Sequence, residues 1–221
     1  MNKQFFKKYL LGYETYFSNR LDDVNRIFIN INRLLDHKKL SEIDKSSIVL
    51  DLGSGDGSFV ELCKEKGIKI SSVDGSQGIN FEKDQLNFND NTFDFVIFNS
   101  VIEHLYSPNN ILSEANRILK SNGILITITP NFEFAYKKFY DDPTHVHPYT
   151  PKSLDKILNV NGFLNNHLFP NLINKPKFMW DIPLKFYLAS ILPFRNHTFK
   201  NLPIPNFLRG KSTSMIAISI K

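Results

Sequence analysis

Three glycines at alternate positions, Gly53, Gly55 and Gly57, stand in the run VLDLGSGDGSF at residues 49 to 59. They follow apolar residues interrupted by one acid, Asp51, which is how a short buried strand reads. A strand that ends in Gly-x-Gly-x-Gly and leads into a helix lets a ligand approach the backbone and meet the N–H groups of the helix start. The chemistry indicated is the holding of a nucleotide-like cofactor. A dinucleotide turn, Gly-x-Gly-x-x-Gly, needs its third glycine at position 58, where this chain has Ser58, so NAD-linked hydride transfer is the weaker reading. A phosphate-cradling loop needs Gly-Lys-Ser or Gly-Lys-Thr at its end, and GDGSFV has no lysine there. Asp74 follows ISSV, 21 positions after Gly53, and an acid at that distance suits two ribose hydroxyls, although Asp-Gly-Ser is also ordinary turn chemistry.

A second group of reactive side chains stands in FYDDPTHVHPYT, residues 139 to 150. Histidine titrates near neutral pH, so His145 suits the handling of an acceptor's proton. His145 and His147, preceded by Asp141 and Asp142, also offer a metal reading, but the donor set is incomplete in the sequence and no metal is expected. The third reading is that these side chains hydrogen-bond to hold their own loop. Glu103 and His104, in VIEHL, divide between a substrate role and capping or packing.

The elements that must position these groups follow from periodicity. Val24, Ile27, Phe28, Ile31, Leu34 and Leu35 recur at helical spacing within residues 1–45, an amphipathic helix expected to cover one edge of the core. From 48 to 128, short apolar runs alternate with helical stretches, the pattern of a mainly parallel sheet with crossover helices. IVLDLG, IKISSVD, INFEKD, FDFVIFN and ILITIT are the strand candidates. In SPNNILSEANRILKSNG, Ser107 suits the cap, Pro108 the first turn and Gly123 the exit, with Ile111, Leu112, Ala115, Ile118 and Leu119 as the core stripe. A helix follows near 151–160, and SMIAISI reads as a last strand.

Joined to DNTFDFVIFNSVIEHLYSPNNILSEANRILKSNGILITITPN, the glycine turn and Asp74 resemble the class I S-adenosylmethionine-dependent methyltransferase family. Its members typically show a Gly-x-Gly-x-Gly first motif and an acid ending strand two. Later they show FD opening strand four, EHL after it, and R-x-L-K-x-x-G before strand five. The resemblance covers residues 47–131. It implies an α/β, Rossmann-like fold with a mainly parallel sheet of about seven strands and helices on both faces, and S-adenosylmethionine as the cofactor. Carried over by position, it places Asp51, Gly53, Ser54, Gly55 and Gly57 around the methionine part, and Asp74, with Gly75 and Ser76, at the ribose. Asp84 and Gln85, ending strand three, fall beside the adenine, and Asn99 and Ser100 face the methionine part from strand four. The chain departs from the family in having only Gln77 and Gly78 between SVDGS and INFEKD, where a crossover helix usually stands.

The Asp142-Pro143-Thr144-His145 segment resembles a subset of bacterial-type class I methyltransferases associated with polysaccharide or small-molecule modification. On that resemblance His145 and His104 are the candidate catalytic residues, and Tyr140, Asp142, His147 and Tyr149 the candidate substrate-binding ones. The implied reaction is O-methylation of a glycan precursor or other small molecule, since no NPPY-like motif follows strand four. A non-catalytic S-adenosylmethionine-binding regulator is the alternative.

Composition bounds these readings. At 221 residues one domain is expected: a helical segment (1–45), a cofactor-binding core (46–135), and an acceptor-side loop, aromatic cap and last strands (136–221). Hydrophobic residues at 42% and charged residues at 22% sit near globular averages. Lys plus Arg exceed Asp plus Glu by 27 to 22, a net +5 too modest for a nucleic-acid footprint. A single cysteine, Cys63, fits a reducing compartment, and the basic N-terminus is broken by Lys7, Lys8 and Gly12 before an export core could form, so a cytoplasmic location is expected. The aromatic, Pro-rich stretch from 170 to 208 reads as a cap over the acceptor pocket; the alternative is peripheral contact with the inner membrane face through 178–194, near a lipid-linked substrate.

Overall fold

Alternation along the strands sorts the apolar residues into two cores. The strands are β1 (Ile48–Leu52), β2 (Lys69–Val73), β3 (Phe93–Asn99), β4 (Leu119–Pro130), β5 (Asn165–Pro170) and β6 (Ser214–Ile220), in a computed structural model that describes residues 20–172, 177–192 and 212–221. Val49, Phe95, Ile97, Ile124, Ile126, Ile128, Ile216 and Ile218 pack on one face of the sheet. Their chain neighbours Leu50, Val96, Phe98, Leu125, Met215 and Ala217 pack on the other. Side chains with a period of two leave both faces apolar, and both must be covered.

Helices supply the covers. On the first face lie α1 (Arg20–His37) and α2 (Ser58–Glu65), with Phe28, Ile31, Leu34 and Leu35 of the expected stripe buried against Phe59, Leu62 and Cys63. On the second lie α3 (Asn109–Ile118), through Ile111, Leu112, Ala115 and Ile118, and later α5 (Pro151–Val160), whose Thr150 cap bonds reciprocally with Ser153. Between these two, a single turn of helix, α4 (Phe132–Ala135), follows β4. Toward the C-terminus, the stretch 177–192, with α6 (Lys185–Ile191), packs on the first face by burying Trp180 and Ala189. No helix among the described residues is long and apolar enough to cross a membrane.

The sheet runs in the order β2-β1-β3-β4-β6-β5, with the first four strands parallel and β6 antiparallel to both β4 and β5. This is the Rossmann-like arrangement of helices on both faces, with six strands among the described residues where about seven were expected. The strand expected at INFEKD is absent: residues 81–83 form a turn, and β2 is the sheet edge. A parallel neighbour for β2 would need a crossover of a dozen or more residues, and Gln77 and Gly78 cannot provide one.

In place of that strand, the polar side of α3 holds the loop 79–92. Asn110 Nδ2 donates to the carbonyls of Phe81 (3.1 Å) and Asp84 (2.9 Å), and Glu114 accepts from the Leu86 amide at 2.8 Å. Arg117 donates to the carbonyls of Leu86 and Phe88 and to Glu114 and Asp90.

Two details of the expected α3 ends are also corrected. The N-cap is Pro108, without a side-chain cap, while the Ser107 amide donates to Glu82. The exit is Leu119, already extended, so Gly123 falls inside β4, where a Cβ would lie 2.8 Å from the Lys120 carbonyl oxygen. The strand β5 was not anticipated; its NNHLFP lacks the apolar alternation that marks the others. The N-terminal stretch MNKQFFKKYLLGYETYF, residues 193–211 with Phe194, and the Phe178 side chain lie outside the described residues.

Candidate active site

The parallel strands β1, β2, β3 and β4 all end at one edge of the sheet, and β2 and β3 lie on opposite sides of β1, so the strand order reverses there. Ligands of open parallel sheets bind at such a reversal, outside the carboxyl ends of the strands. The glycine turn stands there. Gly53 donates its N–H to the Val73 carbonyl at 2.7 Å and has φ of 81°, and a Cβ on it would collide with Val101. Gly57 holds φ of 80° as the N-cap of α2 and has nothing within 4 Å of where a Cβ would be. The first glycine is therefore required by the protein's own packing, whereas the last opens the helix start to whatever lies outside.

Asp74 ties the turn to β2. One carboxylate oxygen accepts from the Gly55 amide at 3.0 Å and the other from the Ser76 amide at 2.8 Å, and the group is 8% exposed. Each oxygen keeps a second lone pair, so the carboxylate can still accept from two hydroxyls. Gly75 and Ser76 lie in the short turn that Asp74 caps, which Gln77 closes from the other side. Asp51, on β1, is buried, and burial, then the charges of Asp74 and Asp56, push its carboxyl up to about 7. A cationic ligand at this edge would offset that accumulation of acids. Ser54 accepts from the Gly57 amide within the turn, and Ser100, with φ of 55°, is exposed just past Asn99 at the end of β3.

Asp84 and Gln85 stand apart from this group's strand ends. They lie in the loop clamped by α3, where Asp84 accepts from the Asn80 amide at 2.7 Å and Gln85 is exposed. The expectation that they end a strand is corrected here.

Val101, which meets the Gly53 backbone, opens the 3-10 turn Ile102–His104. That turn carries part of the second group of candidate side chains. His104 and His145 have ring centroids 4.8 Å apart, although 41 residues separate them in the chain. Backbone bonds fix the approach: the amides of Val146 and His147 both donate to the Glu103 carbonyl, at 2.9 and 3.0 Å. The ring orientations follow from donor logic. His145 Nδ1 is 2.6 Å from the Phe139 carbonyl oxygen, which can only accept, so the proton sits on Nδ1. Thr144 donates its hydroxyl to Asp142 at 2.6 Å, so His104 Nδ1, 2.9 Å from that hydroxyl, is the donor to it. In the neutral form of either ring the lone pair is therefore on Nε2. Burial, then the neighbouring His145, holds His104 below the usual histidine range.

Glu103 lies beneath this pair and is fully buried. One oxygen accepts from Thr129 at 3.0 Å and the other, Oε1, has no hydrogen-bond partner. Burial, and more weakly Asp142, push its carboxyl up to about 7 against the lowering effect of its hydrogen bonds. Two more buried polar atoms without partners stand on the bridged pair Asn131 and Tyr149, at Nδ2 and the hydroxyl. Burial, with Glu103 nearby, raises the Tyr149 hydroxyl. Tyr140 is exposed, edge-on to Phe139, and His147 stacks on Tyr149 at 4.5 Å rather than joining the other two histidines. Thr129 and Asn131 stand within the quoted run GILITITPN and Thr144 within the Asp142–His145 segment, but none of the three carried a role of its own in the sequence reading.

Comparison with known proteins gives the family and the fold. A family model described as a methyltransferase domain matches residues 22–168, more than half of the chain. The chain belongs to the methyltransferase domain family. An uncharacterized protein of Methanocaldococcus jannaschii is 31% identical over 135 residues, 52% of this chain, and the match spans 64% of that protein's own length, short of two thirds. The fold is similar to a SAM-dependent methyltransferase from Archaeoglobus fulgidus (TM-score 0.58, 20% identity, 95% of this chain and 100% of that one). It is also similar to one from Aquifex aeolicus (TM-score 0.56, 15% identity, 100% and 98%). Family and fold are consistent with S-adenosylmethionine as the cofactor.

Proposed function

We propose that this protein transfers the methyl group of S-adenosylmethionine to a hydroxyl oxygen of a small molecule or glycan precursor. The observation that carries the reading is the junction at Val101, which joins the glycine turn with Asp74 to the His104–His145 pair at one edge of the sheet. When bound, the cofactor supplies an electrophilic methyl on a cationic sulfur. Asp74 takes the ribose hydroxyls, the turn from Gly53 to Gly57 and Asp51 receive the cationic methionine part, and Asn99 and Ser100 border it. The acceptor oxygen forms its bond to the methyl carbon as the carbon–sulfur bond breaks, the bonding pair staying on sulfur. The acceptor's proton is removed at the histidine pair, with Asp142 and Thr144 holding His104 in the tautomer that exposes Nε2.

Alignment of the two reactants can supply roughly 7–11 kcal/mol of the barrier, whereas a group that handles the proton adds about 10² to 10⁴ in rate. His145→Ala should therefore slow methyl transfer about 10²-fold or more while leaving cofactor affinity within about twofold. The check is transfer of labelled methyl from S-adenosylmethionine to a panel of hydroxyl and amine acceptors. Transfer to amines alone, or an unchanged rate in the variant, contradicts the O-methyl reading.

The acceptor reading extends to location. On α6, Leu184 at its cap, Tyr187 and Ile191 are 64%, 50% and 52% exposed, an apolar stripe facing away from buried Trp180 and Ala189. This stripe supports peripheral contact of the protein, proposed to be cytoplasmic, with a membrane bearing a lipid-linked acceptor. Sedimentation with anionic liposomes at physiological salt should carry the protein down; a protein that stays in the supernatant leaves the stretch as a cap only.

A further inference from the structure

Glu103, His104 and His145 each bring a potential ligand atom within 4.8 Å of the others. We infer that these three side chains form a divalent transition-metal site, with Glu103 Oε1 and the Nε2 atoms of His104 and His145 as ligands, whose open face receives the acceptor's oxygens. The inference rests on the methyltransferase reading for its role and on this cluster alone for its existence.

Three independent features support it. First, Oε1 of a fully buried glutamate has no hydrogen-bond partner, and no Lys or Arg among the described residues is ion-paired to that carboxylate. A buried carboxylate oxygen without a donor is costly, and a cation removes the cost. Second, both rings are held from behind. His145 Nδ1 meets the Phe139 carbonyl, and His104 Nδ1 meets Thr144, which Asp142 holds in turn. Metal-bound histidines are oriented by bonds of this kind on the other nitrogen, which fix the tautomer and leave Nε2 as the ligand. Third, two imidazoles and one carboxylate suit zinc, iron or manganese, and three protein ligands leave coordination positions open, as in catalytic rather than structural sites. Bonds of about 2.0–2.2 Å require ligand atoms roughly 3–3.5 Å apart, so binding draws atoms now up to 4.8 Å apart together by as much as roughly 1.3–1.8 Å, through small rotations of Glu103 and of the two rings.

The site then specifies the acceptor further. A five- or six-coordinate ion held by these three side chains keeps at least two positions open, which fits an acceptor with adjacent oxygens, such as a vicinal diol or catechol. A hydroxyl bound there is acidified and releases its proton to solvent water before its oxygen takes the methyl group. In this state the two histidines act as ligands, and Asp142, whose Oδ2 lies 3.9 Å from His145 Nε2, borders the ion.

The experiment uses the full chain, stripped with chelator and titrated without cofactor by Co²⁺ absorbance and by Zn²⁺ calorimetry. One ion per chain is expected, with affinity reduced at least tenfold in Glu103→Gln and in His145→Ala and unchanged in His167→Ala, on the edge strand β5. Circular dichroism and S-adenosylmethionine affinity report folding; should Glu103→Gln misfold, His145→Ala decides alone. The absence of saturable binding, or wild-type affinity in a folded His145→Ala variant, overturns the site. S-adenosylmethionine binding to stripped protein separates the two readings: cofactor without metal rejects the site and keeps the methyltransferase, and metal without cofactor does the reverse.

Discussion

Asp74 and Gly53 show how single residues shape the cofactor edge. Asp74 holds two turns with one carboxylate, so its removal frees the Gly55 and Ser76 amides together. Gly53→Ala forces an L side chain into a left-handed backbone, at about 1–2 kcal/mol, and also pushes on Val101 and thus on the His104 turn. Denaturant unfolding should register that loss, and methyl transfer should fall by more than the loss of stability explains. Asp51 gives a pH dependence whose sign can be worked out. Its folded carboxyl keeps a proton up to about 7, while an unfolded aspartate releases it near 4, so between these values the folded state binds more protons. The stability from this group is complete below pH 4 and is lost as pH rises through 7. Asp51→Asn should therefore gain on the wild type over that interval, by on the order of a few kcal/mol in stability curves taken across it. At this scale much was legible: the glycines and Asp74 read directly because their requirement is local backbone geometry. Glu103 did not, because nothing in VIEHL tells whether a carboxylate faces solvent or lies buried beside a histidine 42 positions later.

Elements show where periodicity is informative and where it is not. The stripes of α1 and α3 are buried as their spacing implies, since burying such a face is what stabilises an amphipathic helix. INFEKD misled because its apolar ends, Ile79 and Phe81, pack from a loop as well as they would from a strand. The loop is held by the polar residues of α3, a long-range relation that no local pattern encodes. Arg117→Ala removes bonds to Leu86, Phe88, Glu114 and Asp90 at once and should cost about 2–3 kcal/mol, with the amides of 81–88 exchanging hydrogen faster while those of β1 and β3 do not. Likewise Trp180, fully buried against Phe169 and His37, anchors the stretch before α6, and Trp180→Ala should cost about 3–5 kcal/mol and open 177–192 to proteolysis.

At the scale of the whole molecule, the sheet order places both groups of candidate side chains on one edge, the glycine turn after β1 and the histidines after β3 and in the stretch before α5. Neither group alone points to methyl transfer: the turn has the backbone geometry that suits a nucleotide, and the pair carries the proton handling and the metal binding proposed above. Val101, packed against Gly53 and preceding the Ile102–His104 turn, brings the two groups together, and that junction is a product of the fold on which the proposed single site rests. The most direct measurement is a calorimetric titration of the purified chain with S-adenosylmethionine, S-adenosylhomocysteine and NAD, repeated with Asp74→Ala. Binding of both adenosyl ligands, no binding of NAD, and at least tenfold weaker binding in the variant are the expected results. Tight NAD binding, or adenosyl affinities that Asp74→Ala leaves unchanged, contradicts the account.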